Sequence, residues 1–135
     1  MSTVKQIKRA ERSAIQQQEV VAELNAIVQD IERCEKTVND LQRDLAQANA
    51  SYPAPRTTRQ DIAYLTDLLK CAHKKLAWEK QIASLQKRTP SVLEKMSGLL
   101  NDPANPPPEP IRAQMLKALQ GVQAAMGRLQ NANLD

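Results

Sequence analysis

Apolar residues return every three or four positions through the first third of the chain. Val21, Leu24, Val28, Ile31, Cys34, Val38, Leu41, Leu45 and Ala48 trace one stripe, with steps of 3, 4, 3, 3, 4, 3, 4 and 3. This is the spacing of a coiled-coil seam, and the consecutive threes at Val28, Ile31 and Cys34 predict a stammer that overwinds the helix locally. Upstream, Val4, Ile7, Ala10, Ala14 and Ile15 continue the stripe weakly, interrupted by Gln16, Gln17 and Gln18. The pattern predicts one helix over about 2–50, ~70 Å long at 1.5 Å per residue. No small globule has a core that deep.

Proline sets the remaining boundaries. All eight prolines fall at 53, 55, 90, 103, 106, 107, 108 and 110. Residues 51–57 read as a short stiff turn, after which Thr57-x-x-Gln60 or Thr58-x-x-Asp61 can cap a second helix over about 58–88. Pro90 is expected to stop that helix. Two seams run along it: Ile62, Leu65, Leu69, Ala72, Leu76 and Ala83, and beside them Leu68, Cys71, Trp78, Ile82 and Leu85. A short third helix over 90–101 carries Val92, Leu93, Met96, Leu99 and Leu100. Residues 102–109 read as an extended polyproline-type spacer. A C-terminal helix over 110–131 places Met115, Leu119, Val122, Met126 and Leu129 at steps of 4, 3, 4 and 3, and residues 132–135 are expected to fray.

Composition narrows the fold. Aromatic residues make up 2% of 135, with no Phe, and Gly occurs three times. Sandwiches, barrels and nucleotide-binding α/β folds need β-branched strands and Gly-rich turns. An all-α chain that buries Leu, Ile, Val and Ala along lines suits these numbers: an elongated antiparallel hairpin at 1–89, completed to a three-helix-type bundle by the C-terminal helix in cis or in trans. Charge segregation supports the hairpin. Residues 21–50 carry three basic and six acidic side chains, and residues 51–89 carry eight basic and three acidic. With a turn centred near residue 54, numbers totalling about 108 lie side by side. Glu23, Asp30, Glu32, Glu35, Asp40 and Asp44 then run along Lys70, Lys74, Lys75, Lys80, Lys87 and Arg88. Cys34 and Cys71 fall within about one turn of each other in this register. Residues 1–20 are left to overhang, to be covered by the third helix, or to meet another chain.

Chemistry has few candidates. The single histidine, His73, points some 200° away from Cys71 on a helix, so the two form neither a dyad nor a metal clamp. No phosphate loop or paired-cysteine zinc spacing occurs, and nothing beside Cys34 would activate its thiol. No catalytic, cofactor or metal site is expected, and no small-molecule substrate. The net charge of +4 and the stripe of lysines on the second helix admit weak attraction to polyanions. Stacking aromatics for nucleic acid are nearly absent, however, and the acidic helix beside the stripe can neutralise it. Lys5, Lys8, Arg9 and Arg12 on the overhang could meet an acidic surface such as a microtubule by the same electrostatics.

The expectation is therefore a non-enzymatic structural subunit that associates with other coiled-coil proteins or with itself. Candidate partner-binding residues are Ile7, Ile15 and Val21 on the first helix, Leu68, Trp78, Ile82 and Leu85 on the second, and Met115, Leu119, Val122, Met126 and Leu129 on the last. In general build the chain resembles the small helical subunits of kinetochore, centrosome and spindle assemblies, which implies a cytoskeletal or chromosome-segregation role. Vesicle-tethering and organelle-positioning complexes contain subunits of similar build, giving an adaptor as the alternative, and a nucleic-acid-associated helical factor is a second alternative. No apolar run approaches a membrane span, and the N-terminus lacks a signal-type apolar block. An intracellular location in the cytoplasm or cytoskeleton follows as the expectation, with the nucleus as an alternative.

Overall fold

The computed structural model describes residues 3–132, and the described chain is three α-helices with no strand. Helix α1 spans Thr3–Ser51, α2 spans Thr58–Leu100 and α3 spans Glu109–Gln130. Helix α1 packs against both others in an antiparallel hairpin with α2, while α3 lies parallel to α1. The three-helix bundle is closed in cis. Of the tail expected at 132–135, residues 133–135 lie outside the described residues.

The buried row of α1 is Gln17, Val20, Leu24, Ile27, Ile31, Cys34, Val38, Leu41 and Ala48. Its steps alternate three and four, with half-buried Leu45 completing the row. The expected stammer is therefore absent. Val21 and Val28, which created it, belong to a second column that faces α3, where Val28 lies against Gly121. A helix with two neighbours carries two apolar columns, and a single traced stripe had borrowed from both.

At the tip, Thr57 caps α2 by the reciprocal bonds expected of a capping box: its hydroxyl accepts from the Gln60 amide at 3.2 Å, and its own amide donates to the Gln60 side chain at 3.0 Å. Both tyrosines staple this turn. The Tyr64 hydroxyl donates to Asn49 at 2.6 Å, and the Arg56 guanidinium lies 4.0 Å from the Tyr64 ring centre. The loop between Ser51 and Thr58, stiffened by Pro53 and Pro55, runs past the end of α1 before α2 begins. Ion pairs accordingly join residues whose numbers total 118, not 108: Asp44 with Lys74 at 2.8 Å, Asp30 with Arg88, and Glu23 with Lys95 at 3.9 Å. Cys34 meets Gln81, some 15 Å of helix from Cys71, so the two thiols are not neighbours.

Pro90 does not end the helix. Helix α2 runs through it, so the expected third helix over 90–101 is the last three turns of α2. Pro90 sits on the exposed side, where its ring meets solvent. The opposite side buries Leu85, Thr89, Val92 and Met96 against α1. Continuous burial on one face outweighs the lost backbone bond, which costs about 3 kcal/mol in a helix interior. The proline-rich connection also differs from a free spacer. Asp102 accepts from the amides of Ala104 and Asn105, Gln17 donates to the Asn105 carbonyl at 3.3 Å, and Pro107 is buried. The segment is thus an anchored reversal that returns the chain along α1.

Candidate interaction surface

Two zones follow from where α3 ends. Arg128 of α3 pairs with Glu35 of α1 at 3.2 Å, and Gly121 meets Val28, so each α3 residue lies level with the α1 residue 93 positions earlier. Gln130 is thus level with residue 37 of α1 and, in the 118 register, with residue 81 of α2. Beyond that level α1 and α2 continue as a bare two-helix hairpin. At the other end, residues 3–16 of α1 extend past the bundle, exposed except for half-buried Ser13.

Large exposed apolar residues concentrate in these two uncovered zones. Ile62, Leu65, Leu69 and Leu76 on α2 are 54–62% exposed, and Val4, Ile7 and Ile15 on the overhang 54–64%. The α2 set repeats at heptad spacing, with Ala72 between Leu69 and Leu76. Leu65 and Ala72 share a seven-step column with Leu93, which is half-buried against the core cluster. The exposed seam therefore lies on the side of α2 turned away from α1, and its Ile62, Leu69 and Leu76 column runs on into exposed Ala83 and Pro90. The ion pairs to Glu23, Asp30 and Asp44 lie on the other side of the hairpin.

The residues singled out from sequence separate into three groups. Ile7 and Ile15 are exposed. Leu85, Met115 and Val122 are buried inside the chain's own bundle, and Val21, Trp78, Ile82, Leu119, Met126 and Leu129 are half-buried against the same cluster. Leu68 is half-buried beside the open seam. Of the two α2 seams, the one carrying Trp78 serves α1 and the other is free. A seven-step column decides between them. Cys71, Trp78, Leu85, Val92 and Leu99 stay apolar across Pro90, whereas Leu65 and Ala72 give way to Glu79 and Gln86. Treating Pro90 as a stop conceals that continuity.

Electrostatics leave little reactive chemistry. Burial, and secondarily the nearby Asp30 charge, push the Cys34 thiol up, and its Sγ lies 3.7 Å from the Gln81 carbonyl oxygen. Cys71 is buried as well. Trp78 holds its indole N–H buried without a hydrogen-bond partner, so it acts as a packing group. An open trough of 810 Å³ on the ion-pair side is lined by Asp44, Asp67, Lys70, His73 and Lys74 among others. Its mixed charges select no one sign of ligand. Among the described residues no cluster of three or more His, Cys, Asp or Glu side chains could hold a metal, and no helix is long and apolar enough to cross a membrane. No family model matches the chain, and no curated protein or solved structure matches it either.

Proposed function

We propose that this chain is a non-enzymatic structural subunit that acts by helix–helix association, with the uncovered α2 seam as its docking face. The observation that carries this reading is the heptad row Ile62, Leu65, Leu69 and Leu76, left in solvent while the buried rows of the three-helix part are filled in cis. A contiguous apolar row of this kind is the mark of an interaction site in a soluble protein. In a cell extract, the wild-type chain should fractionate in a larger complex, and the doubly substituted L65E/L69E chain should leave it while keeping its helicity. Identical fractionation of the two would refute the docking face.

A second observation supports the cytoskeletal version of this role. Lys5, Lys8, Arg9 and Arg12 stand on a bare exposed helix with Glu11 as the one acidic residue among them. Such an arm suits an acidic polymer surface. Salt-sensitive co-sedimentation with microtubules, lost on Lys5→Glu/Lys8→Glu, is the expected result; equal pelleting of both chains would remove the arm from the account.

A further inference from the structure

We propose that the occupant of the open α2 seam is a second copy of this chain, lying antiparallel about a two-fold axis at Leu69. This rests on the reading of that seam as a docking face and adds the partner and its geometry.

Two independent centres coincide. Helix α2 begins at Thr58, and α3 ends level with about residue 81, so the two-helix segment of α2 is 58–80, with its midpoint at residue 69. The apolar row has the same centre, since Ile62 and Leu76 each lie seven residues from Leu69. Laid antiparallel about that point, the α2 segments oppose Ile62 to Leu76 of the second copy, and Leu69 to its own equivalent. The hairpin tip of each copy then reaches the level where α3 of the other ends. The two α2 segments cover each other over about 34 Å. The contact is isologous and closes as a dimer.

Charge favours this direction over the others. The column of the seam nearer α1 is Asp61, Leu68 and Lys75, spaced by sevens. Antiparallel packing sets Asp61 against Lys75 of the second copy twice, with Leu68 meeting Leu68 between them. On the outer edge Arg59 comes level with Glu79 and Lys80. Parallel packing instead brings Lys75 beside Lys80 and forms no opposite-charge pair along the seam. The overhang of another copy is also a poor occupant: its Lys5, Lys8, Arg9 and Arg12 would lie on a surface already rich in Arg59, Lys70, Lys75 and Lys80.

Sedimentation equilibrium of the full chain over a concentration series should show reversible association to twice the 15.1 kDa of one chain. Leu69→Glu, at an exposed position that leaves the fold intact by circular dichroism, should weaken the dimer roughly a hundredfold, because both introduced charges meet at the axis. Orientation is read by disulfide trapping in a Cys34→Ala/Cys71→Ala background. Ile62→Cys should cross-link to Leu76→Cys in a mixture of the two chains, and Leu69→Cys should cross-link to itself. A chain monomeric at every concentration overturns the proposal. So does Ile62→Cys trapping itself, which marks parallel packing, or Ile7→Cys trapping Leu69→Cys, which marks the overhang as occupant. A monomer that still enters a larger complex in extract through Leu65 and Leu69 would overturn the second copy and leave the docking face standing.

Discussion

The two halves of α2 have similar apolar content and opposite fates. Residues 81–100 lie in a three-helix bundle, where Leu85, Val92 and Met96 are no more than 5% exposed. Residues 58–80 lie in a two-helix hairpin, where only Cys71 is buried and four large aliphatic side chains remain in solvent. A single neighbour can cover one face of a helix, so a second seam waits for whatever supplies the next neighbour. In the bundle the adjoining column offers Leu93 and Leu100, half-buried against the core cluster, and in the hairpin the chain itself supplies no such cover. The halves should differ in what a lost methyl group costs. Ile31→Ala, in the fully buried bundle row, should lower unfolding stability by about 3–4 kcal/mol, as large-to-small core changes do. Leu69→Ala, measured at a protein concentration low enough to keep the chain monomeric, should stay within about 0.5 kcal/mol. Urea denaturation of the two variants checks both values. Equal losses would mean that the hairpin seam is covered in the single chain after all.

Much of this contrast was legible in the sequence, and the illegible part has a definite cause. Heptad spacing, the 51–57 turn, the Thr57 cap and the pairing of an acidic with a basic helix all rest on local chemistry, and each has its counterpart in the structure. The 108 register assumed a symmetric turn, and the proline-stiffened loop displaces it. Which α2 seam stays free depends on which one continues apolar past Pro90 to serve α1, and no local feature of residues 62–76 encodes that. The partner-binding residues placed on α3 leave cis and trans packing open in the sequence for the same reason. Met115 and Val122 look the same in sequence whether they fill their own bundle or another's.

Pro90 sharpens the comparison at the next level of effect. It lies in the bundled half, on the solvent side, in a helix that continues ten residues beyond it. If packing of Thr89, Val92 and Met96 carries α2 through the proline, the missing amide and the crowding of the Gln86 carbonyl are a standing cost. Pro90→Ala should then raise stability by about 1–3 kcal/mol, below the full helix-interior penalty because proline also restricts the unfolded chain. A higher midpoint in thermal unfolding, with unchanged helicity, is the expected result. A lower midpoint would show that Pro90 shapes the bundle and is not merely tolerated by it.

The smallest effect separates the halves by electrostatics. In the two-helix half the Asp44 carboxylate accepts a hydrogen bond from Lys74 at 2.8 Å, which holds its carboxyl below the usual carboxylate range and raises the Lys74 ammonium above the usual lysine range. The signs follow from linkage. A lowered carboxyl favours the folded hairpin above the pKa of the unfolded chain, and that contribution is lost as pH falls through the folded value. A raised ammonium favours it below the unfolded lysine value, and that contribution is lost as pH rises through the folded one. The contact should therefore help from mildly acidic through mildly alkaline pH and fail at both extremes, by the small margin that solvent-screened pairs show. A carbon-detected titration of Asp44 should find its midpoint below that of an ordinary aspartate, and Lys74→Met should move it back up. A midpoint unmoved by Lys74→Met would mean that the pair does not hold in solution. The 118 register of the hairpin half would then lose the contact that fixes it nearest the open seam.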